Sequence, residues 1–213
     1  MNKDLIIENT KIFVRKKLQN EGSGHDYFHI ERVYNMSKEI SKYEECDLFI
    51  VELTALLHDI DDWKFNDKNK NKTKNIRRFL ISEGLSESYI KKIENIIKTI
   101  SFKGGIVDST QNSIEGMIVQ DADRLDALGA IGISRAFIYG GSKGNIIYDP
   151  SIEPKKFKSL DEVKGKNTVI NHFYKKSLKL KDLMNTKKGK EIAMKRHKFM
   201  EKFLDEIYSE INI

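Results

Sequence analysis

The sequence predicts an all-α protein, and three observations carry that expectation. Apolar residues recur at steps of three and four through most of the chain, the spacing that lines one face of a helix. Only two prolines occur, Pro150 and Pro154, so few positions interrupt helical runs. The segment from Leu48 to Leu57 is apolar nearly all round, which marks a central, buried helix. A length of 213 residues suits a single helical domain spanning 1–213. Its core is expected over about residues 20–135, with helices again over 167–213.

Leu5, Ile6, Ile12 and Phe13 predict a first amphipathic helix, broken by Gly22, Ser23 and Gly24. A second helix opens near Asp26, whose side chain can cap its free amides. On it His29, Val33, Met36 and Ile40 share one face. The third helix is the apolar one, ending in His58-Asp59-Ile60-Asp61-Asp62. Asn66 to Lys72 reads as a solvated loop. Ile76, Phe79 and Leu80 mark the next helix, and Tyr89, Ile90, Ile93, Ile96, Ile97 and Ile100 mark another, closed by Gly104-Gly105. Ile114, Met117 and Ile118 lead into Asp121-Ala122-Asp123-Arg124-Leu125-Asp126. Tyr139 to Lys166 holds four glycines and both prolines and predicts a long surface excursion, with a lid and a plain connector both left open. Ile192, Phe199, Phe203 and Ile207 form the stripe of a terminal helix.

Composition narrows the function. Hydrophobic residues make up 39% and charged residues 33%, ordinary for a globular chain and too apolar for a disordered one. No run approaches the roughly 20 apolar residues of a membrane span, and Met1 to Thr10 lacks a signal-peptide core. A cytoplasmic protein with no membrane partner is therefore expected. Cys46 is the only cysteine, which excludes an internal disulfide and a Cys-rich zinc site. The net charge of +6 is Lys spread along the chain. It favours a small phosphorylated substrate over nucleic acid, which is not the expected partner. A homodimer is left open.

Five histidines occur. His29 lies on the apolar face of its helix, and His58-Asp59 terminates the most apolar helix. Placing titratable groups there costs stability unless they are paired or hold a metal. Adjacent helical residues point about 100° apart, so both reach one ion only at the helix end. A fourth ligand comes from elsewhere, with Asp121, Asp123 and Asp126 as candidates. These carboxylates otherwise cap helices or pair with Arg124 and Arg32. His172 reads more readily as structural than as part of a site. His197 lies in a Lys/Arg-rich stretch read as exposed and takes no role.

The ordered set Gly24-His25-Asp26-Tyr27-Phe28-His29, Leu57-His58-Asp59-Ile60-Asp61-Asp62-Trp63-Lys64, Ile100-Ser101-Phe102 and Asp121-Ala122-Asp123-Arg124-Leu125-Asp126 resembles the HD superfamily of metal-dependent phosphohydrolases. Together with His172-Phe173-Tyr174-Lys175-Lys176 and Met184-Asn185-Thr186, it is similar to the bacterial YpgQ/YedJ-like branch over almost the whole chain. The resemblance implies an HD-domain helical bundle with a C-terminal helical elaboration. It implies metal ligands at His29, His58, Asp59 and Asp123, since the ligand Asp of the family precedes Arg-Leu. HD enzymes with two metals recruit extra histidines after the His-Asp pair. None lies between His58 and His172, so one divalent metal is expected. Two imidazoles and two carboxylates suit Mn, Fe(II), Mg, Co, Ni or Zn.

Such a metal lowers the pKa of bound water and polarises a phosphoryl group. The expected reaction is hydrolysis of a phosphate ester or anhydride, in its sharpest form a nucleoside triphosphate cleaved to monophosphate and pyrophosphate. A nucleotidase or phosphodiesterase, and a non-catalytic nucleotide-sensing module, are the alternatives. Lys64, Arg32 and His25 are candidates to contact phosphate oxygens. Asp62 is either a general base or a partner of the ligands. Asp26 either caps its helix or orients a ligand His. Arg124 and Asp126 are expected to orient carboxylates, and Trp63 either stacks on a base or fills core.

Overall fold

A computed structural model of the chain describes residues 2–18, 26–61, 73–100, 108–152 and 168–211. These hold nine α-helices, one 3₁₀ helix and, among the described residues, no strand. The helices are α1 (Lys3–Lys17), α2 (Tyr27–Ser41), α3 (Leu48–Leu57), α4 (Lys74–Ser82), α5 (Glu87–Ile100), α6 (Ile114–Asp126), α7 (Gly129–Ser142), α8 (Val169–Lys175) and α9 (Lys187–Ile211). The 3₁₀ helix, Ser177–Leu183, lies between α8 and α9. The all-α expectation therefore holds. No described helix is long and apolar enough to cross a membrane. The chain divides into two compact units, residues 1–101 with 109–122, and residues 102–108 with 123–213, a division that falls inside α6.

The first unit is built around α3. Phe49, Ile50, Val51, Leu53, Ala55, Leu56 and Leu57 are all buried, and α1, α2 and α5 pack against this cylinder. A helix apolar on every side finds its minimum only with neighbours on every side. The apolar stripe of α1 is offset from the expected one. Ile6, Ile7, Thr10 and Val14 face inward, whereas Leu5 and Ile12 are exposed. Thr10 is accommodated because its hydroxyl donates to the Ile6 carbonyl at 2.7 Å. Phe13 still packs, stacking on Phe79 of α4 with ring centroids 4.3 Å apart.

Helix α4 begins after Thr73, whose side chain makes no capping bond. Asp61 caps it instead from the turn that follows α3. Its carboxylate accepts from the Asn75 amide at 2.8 Å, the Ile76 amide at 3.0 Å and Asn75 Nδ2 at 2.6 Å. At the other side of the unit Gln120 of α6 gathers three carbonyls. Its Nε2 donates to Thr99, Ile100 and Ser109 at 3.3, 3.2 and 2.7 Å, which fixes where α5 ends.

In the second unit α7 and the 3₁₀ helix pack on α9, and α8 packs on both α7 and the 3₁₀ helix. The structure of this unit departs from three sequence expectations. The segment read as an excursion from Tyr139 to Lys166 is helical at its start, because α7 continues through Ser142, and its residues 153–166 lie outside the described residues. Gly140 serves packing rather than a turn, since a Cβ there would press into the Val169 side chain. The stripe of α9 is Gly189, Ala193, His197, Met200 and Leu204, not the expected Ile192, Phe199, Phe203 and Ile207. Gly189 and Ala193 are small enough to bring the helix close, and that rotates His197 inward and Phe199 out. His197 is thus buried, with Nε2 3.2 Å from Glu201, rather than exposed. Phe203 keeps partial burial through edge-on contact with Phe137 and a tilted contact with Phe173.

Two stability predictions follow from this packing. Asp61→Ala should cost about 0.5–2 kcal/mol by chemical denaturation, the range for losing a helix N-cap, and a change below measurement error would show that α4 needs no remote cap. Burial, aided by Lys176 and Lys175, pushes the His172 imidazole down from 6.5 to about 3. Unfolded, that ring takes a proton below 6.5, and folded it stays neutral to about 3. Its stabilising effect is complete above the unfolded value and is lost as pH falls towards the folded one, at up to about 1.4 kcal/mol per pH unit. His172→Gln should flatten Tm against pH in that window, and an unaltered slope would refute the burial of a neutral ring.

Candidate metal centre

The site starts at a helix cap. Asp26 has extended backbone angles, φ −75° and ψ 174°, and its Oδ1 accepts from the His29 amide at 2.8 Å. The cap bond therefore goes to the third helical residue, the one whose imidazole points into the interior. Of the two readings of Asp26, the helix cap is the one its hydrogen bond carries. His29 is fully buried.

The second contribution comes from the end of α3. The helix stops at Leu57, His58 is its C-cap, and the Ile60 amide closes a tighter turn on the Leu57 carbonyl at 3.1 Å. The turn lets two consecutive side chains face the interior at the helix end, as the spacing argument required. His58 and Asp59 are both buried, at 3% and 4% exposure. Nδ1 of His58 lies 2.8 Å from the Ala55 carbonyl, an oxygen that can only accept. The ring proton is thus on Nδ1 and the lone pair on Nε2. A backbone carbonyl that fixes the tautomer in this way is the usual outer partner of a metal-binding imidazole.

The three side chains meet. Asp59 spans both rings, with Oδ2 3.4 Å from His29 Nε2 and Oδ1 3.6 Å from His58 Nε2. The rings sit edge to face, centroids 5.3 Å apart at 74°. One ligand atom from each residue lies within 4.8 Å of the others. Both imidazole–carboxylate distances exceed the roughly 2.7–3.2 Å of a good hydrogen bond. They match donors about 2.0–2.2 Å from a shared cation, which stand about 3.0–3.6 Å apart at angles near 90–110°. The residues present thus fit a divalent metal, by spacing and by the chemistry of the donor set.

The remaining expected residues are placed as follows. Asp123 occupies the last turn of α6, half-buried, in the second unit. Beside it Arg124 is buried, its Nη1 donating to the Leu183 carbonyl, and Asp126 pairs with Arg135 at 2.8 Å. Arg32 stands one turn beyond His29 on α2, half-buried. His25, Asp62, Trp63 and Lys64 lie outside the described residues. Asp61 and Gln120 are the residues that sequence reasoning passed over. A cap 14 residues away in sequence and a side chain that gathers carbonyls leave no periodic trace.

Comparison with known proteins adds to this geometry. The model of the HD domain matches residues 26–128, which contain all three buried residues and Asp123. Over 205 residues the chain is 38% identical to the uncharacterized protein YpgQ of Bacillus subtilis, covering 96% of this chain and 93% of that one. A crystal structure of YpgQ in complex with ADP superposes with a TM-score of 0.77, covering 96% and 97% of the two chains. A crystal structure of an HD-superfamily hydrolase from Bacillus thuringiensis is 42% identical, with a TM-score of 0.78 over 99% of each chain. One of a Lactobacillus plantarum protein is 33% identical, with a TM-score of 0.88 over 100% and 99%.

Proposed function

The chain belongs to the HD superfamily, in its YpgQ-like branch, and from that premise we propose that it hydrolyses phosphate esters or anhydrides at a single divalent metal. The carrying observation is the buried group of His29, His58 and Asp59, with ligand atoms within 4.8 Å of one another. Asp123 is proposed as the fourth ligand, on the family pattern. The metal, when bound, supplies Lewis-acid polarisation of a phosphoryl oxygen and a water of lowered pKa. The proposed substrate is a nucleotide, most sharply a nucleoside triphosphate opened to monophosphate and pyrophosphate. Support comes from the ADP held by YpgQ, at 34% identity in that structure.

The protein's own groups take the remaining roles. His58 is proposed to offer Nε2 to the ion, its Nδ1 being engaged by the Ala55 carbonyl. Asp26 fixes the backbone under His29. Arg32, Lys64 and His25 are proposed to hold phosphate oxygens, where negative charge concentrates in phosphoryl transfer. Asp62 is proposed to accept the proton of the attacking water. Arg124 and Asp126 are proposed to hold the end of α6 in place around Asp123.

Purified protein with Mn should release phosphate or pyrophosphate from at least one member of a nucleotide panel, with the two products assayed separately. EDTA should abolish the release. His58→Ala or Asp59→Ala should lower it by more than about a hundredfold, beyond the loss typical of an outer-sphere partner. Activity that survives both changes would remove the metal mechanism. A fold-retaining protein that binds nucleotide and metal yet hydrolyses nothing would replace the enzyme with a sensor. Separately, Mn at a hundred times its Kd should stabilise the wild type by about 2.7 kcal/mol. His29→Ala should lose that gain, and an equal gain in the variant would place the ion elsewhere.

A further inference from the structure

Within the second unit, a face of α9 and the first residues of α7, Gly129 and Ala130, line an open groove of about 700 Å³. This lies in the size range of small-molecule sites. One wall is a face of α9 on which Lys195, Lys198 and Lys202 recur at steps of three and four. None of the three makes an ion pair among the described residues. The single carboxylate in the lining, Glu191, is itself paired with Lys188 at 3.1 Å. The groove is thus strongly cationic.

Arg196 gives the site a fixed element that mobile surface lysines lack. It is half-buried, and its Nη1 donates to the Leu125 carbonyl at 2.5 Å. Its stem lies along Gly129, where a Cβ would come within 3.1 Å of Arg196 Cγ. Gly129 has φ +72°, a conformation that also favours the absence of a side chain. The guanidinium is therefore held at one edge, and its other nitrogens meet no hydrogen-bond partner among the described residues. Burial lowers its pKa, an effect that the nearby Asp126 partly offsets. A planar, desolvated, one-side-anchored guanidinium is well suited to bidentate binding of phosphate. Phe199, 50% exposed, adds a flat apolar surface to the same lining.

We propose that this groove binds a ligand carrying a di- or triphosphate group, with Arg196 anchoring it and Lys195, Lys198 and Lys202 neutralising its charge. The ligand is either inorganic polyphosphate or a nucleoside polyphosphate, the latter using the Phe199 ring for its base. The site contains none of the proposed metal ligands, and its role is binding rather than hydrolysis.

Calorimetric titration of the full-length chain with inorganic tripolyphosphate, in EDTA and about 0.15 M salt, tests the proposal. Binding is expected for wild type and for Asp59→Ala alike. Lys195→Gln with Lys198→Gln, surface changes that spare the fold, should weaken it about tenfold or more, and Arg196→Gln added to them further. Absence of heat, or equal affinity in the double variant, would overturn the site. Loss of binding in Asp59→Ala under EDTA would also overturn it, by assigning the anion to the metal centre, and would leave the hydrolase reading intact. ATP binding tighter than tripolyphosphate, with the excess lost in Phe199→Ala, would identify a nucleotide. Equal affinities would identify polyphosphate alone. Displacement by a short single-stranded RNA at lower phosphate concentration than tripolyphosphate would overturn the small-ligand proposal in favour of nucleic acid.

Discussion

A buried apolar helix that ends inside the protein is the constraint on which the site depends. Helix α3 is buried along eight of its ten residues, and the helices packed on it leave its C-terminal end in the interior. The first two residues past that end are His58 and Asp59, both buried. Burying a carboxylate against two imidazoles is costly unless charge and lone pairs are satisfied there. The local structure spends further interactions on holding the arrangement: the Ala55 carbonyl on one ring, the Asp26 cap under the other, and the Asp61 cap two residues on. A shared cation would turn that cost into cohesion, and the two imidazole–carboxylate distances, 3.4 and 3.6 Å, are compatible with one.

The turn between α3 and α4 joins stability to chemistry. Asp59 and Asp61 differ by two residues and perform different work. Asp59 faces the two imidazoles, while Asp61 reaches forward to close the amide end of α4. The cap holds the far side of the turn and so limits how far the His58-Asp59 backbone can move. Precise donor placement in metal sites depends on such support. In the second unit Arg124 and Arg196 play a comparable part on main-chain carbonyls, those of Leu183 and Leu125. Each arginine fixes a helix end by a charge-assisted bond rather than by apolar burial alone.

Much of this was legible in the sequence, and the failures have physical causes. The helix class, the buried α3, the Asp26 cap and the interior His29 all follow from periodicity and capping chemistry, which are local. The stripes of α1 and α9 came out rotated because each carries two apolar rows one residue apart. Thr10 can turn inward by bonding its own helix, and Gly189 with Ala193 permits closer approach than Phe199 would. Gly140-Gly141 looked like a break, yet one of them makes room for Val169 within a continuing helix. His197 looked exposed for its charged neighbours, although the helix places those neighbours on other faces. Asp61 and Gln120 act over distances that no pattern within one helix encodes. The buried group of His29, His58 and Asp59 was legible because a titratable pair at the end of an apolar helix is an anomaly that demands a partner, while its reading as a metal site came from the resemblance to the HD superfamily.

The proposed centre is one divalent ion among three buried side chains, His29, His58 and Asp59. Anomalous diffraction from crystals grown with Mn tests this directly. A single strong peak about 2.0–2.3 Å from His29 Nε2, His58 Nε2 and a carboxylate oxygen of Asp59 is the predicted result. A fully formed protein whose Mn peak lies away from those atoms, or which shows none at saturating Mn, would contradict it.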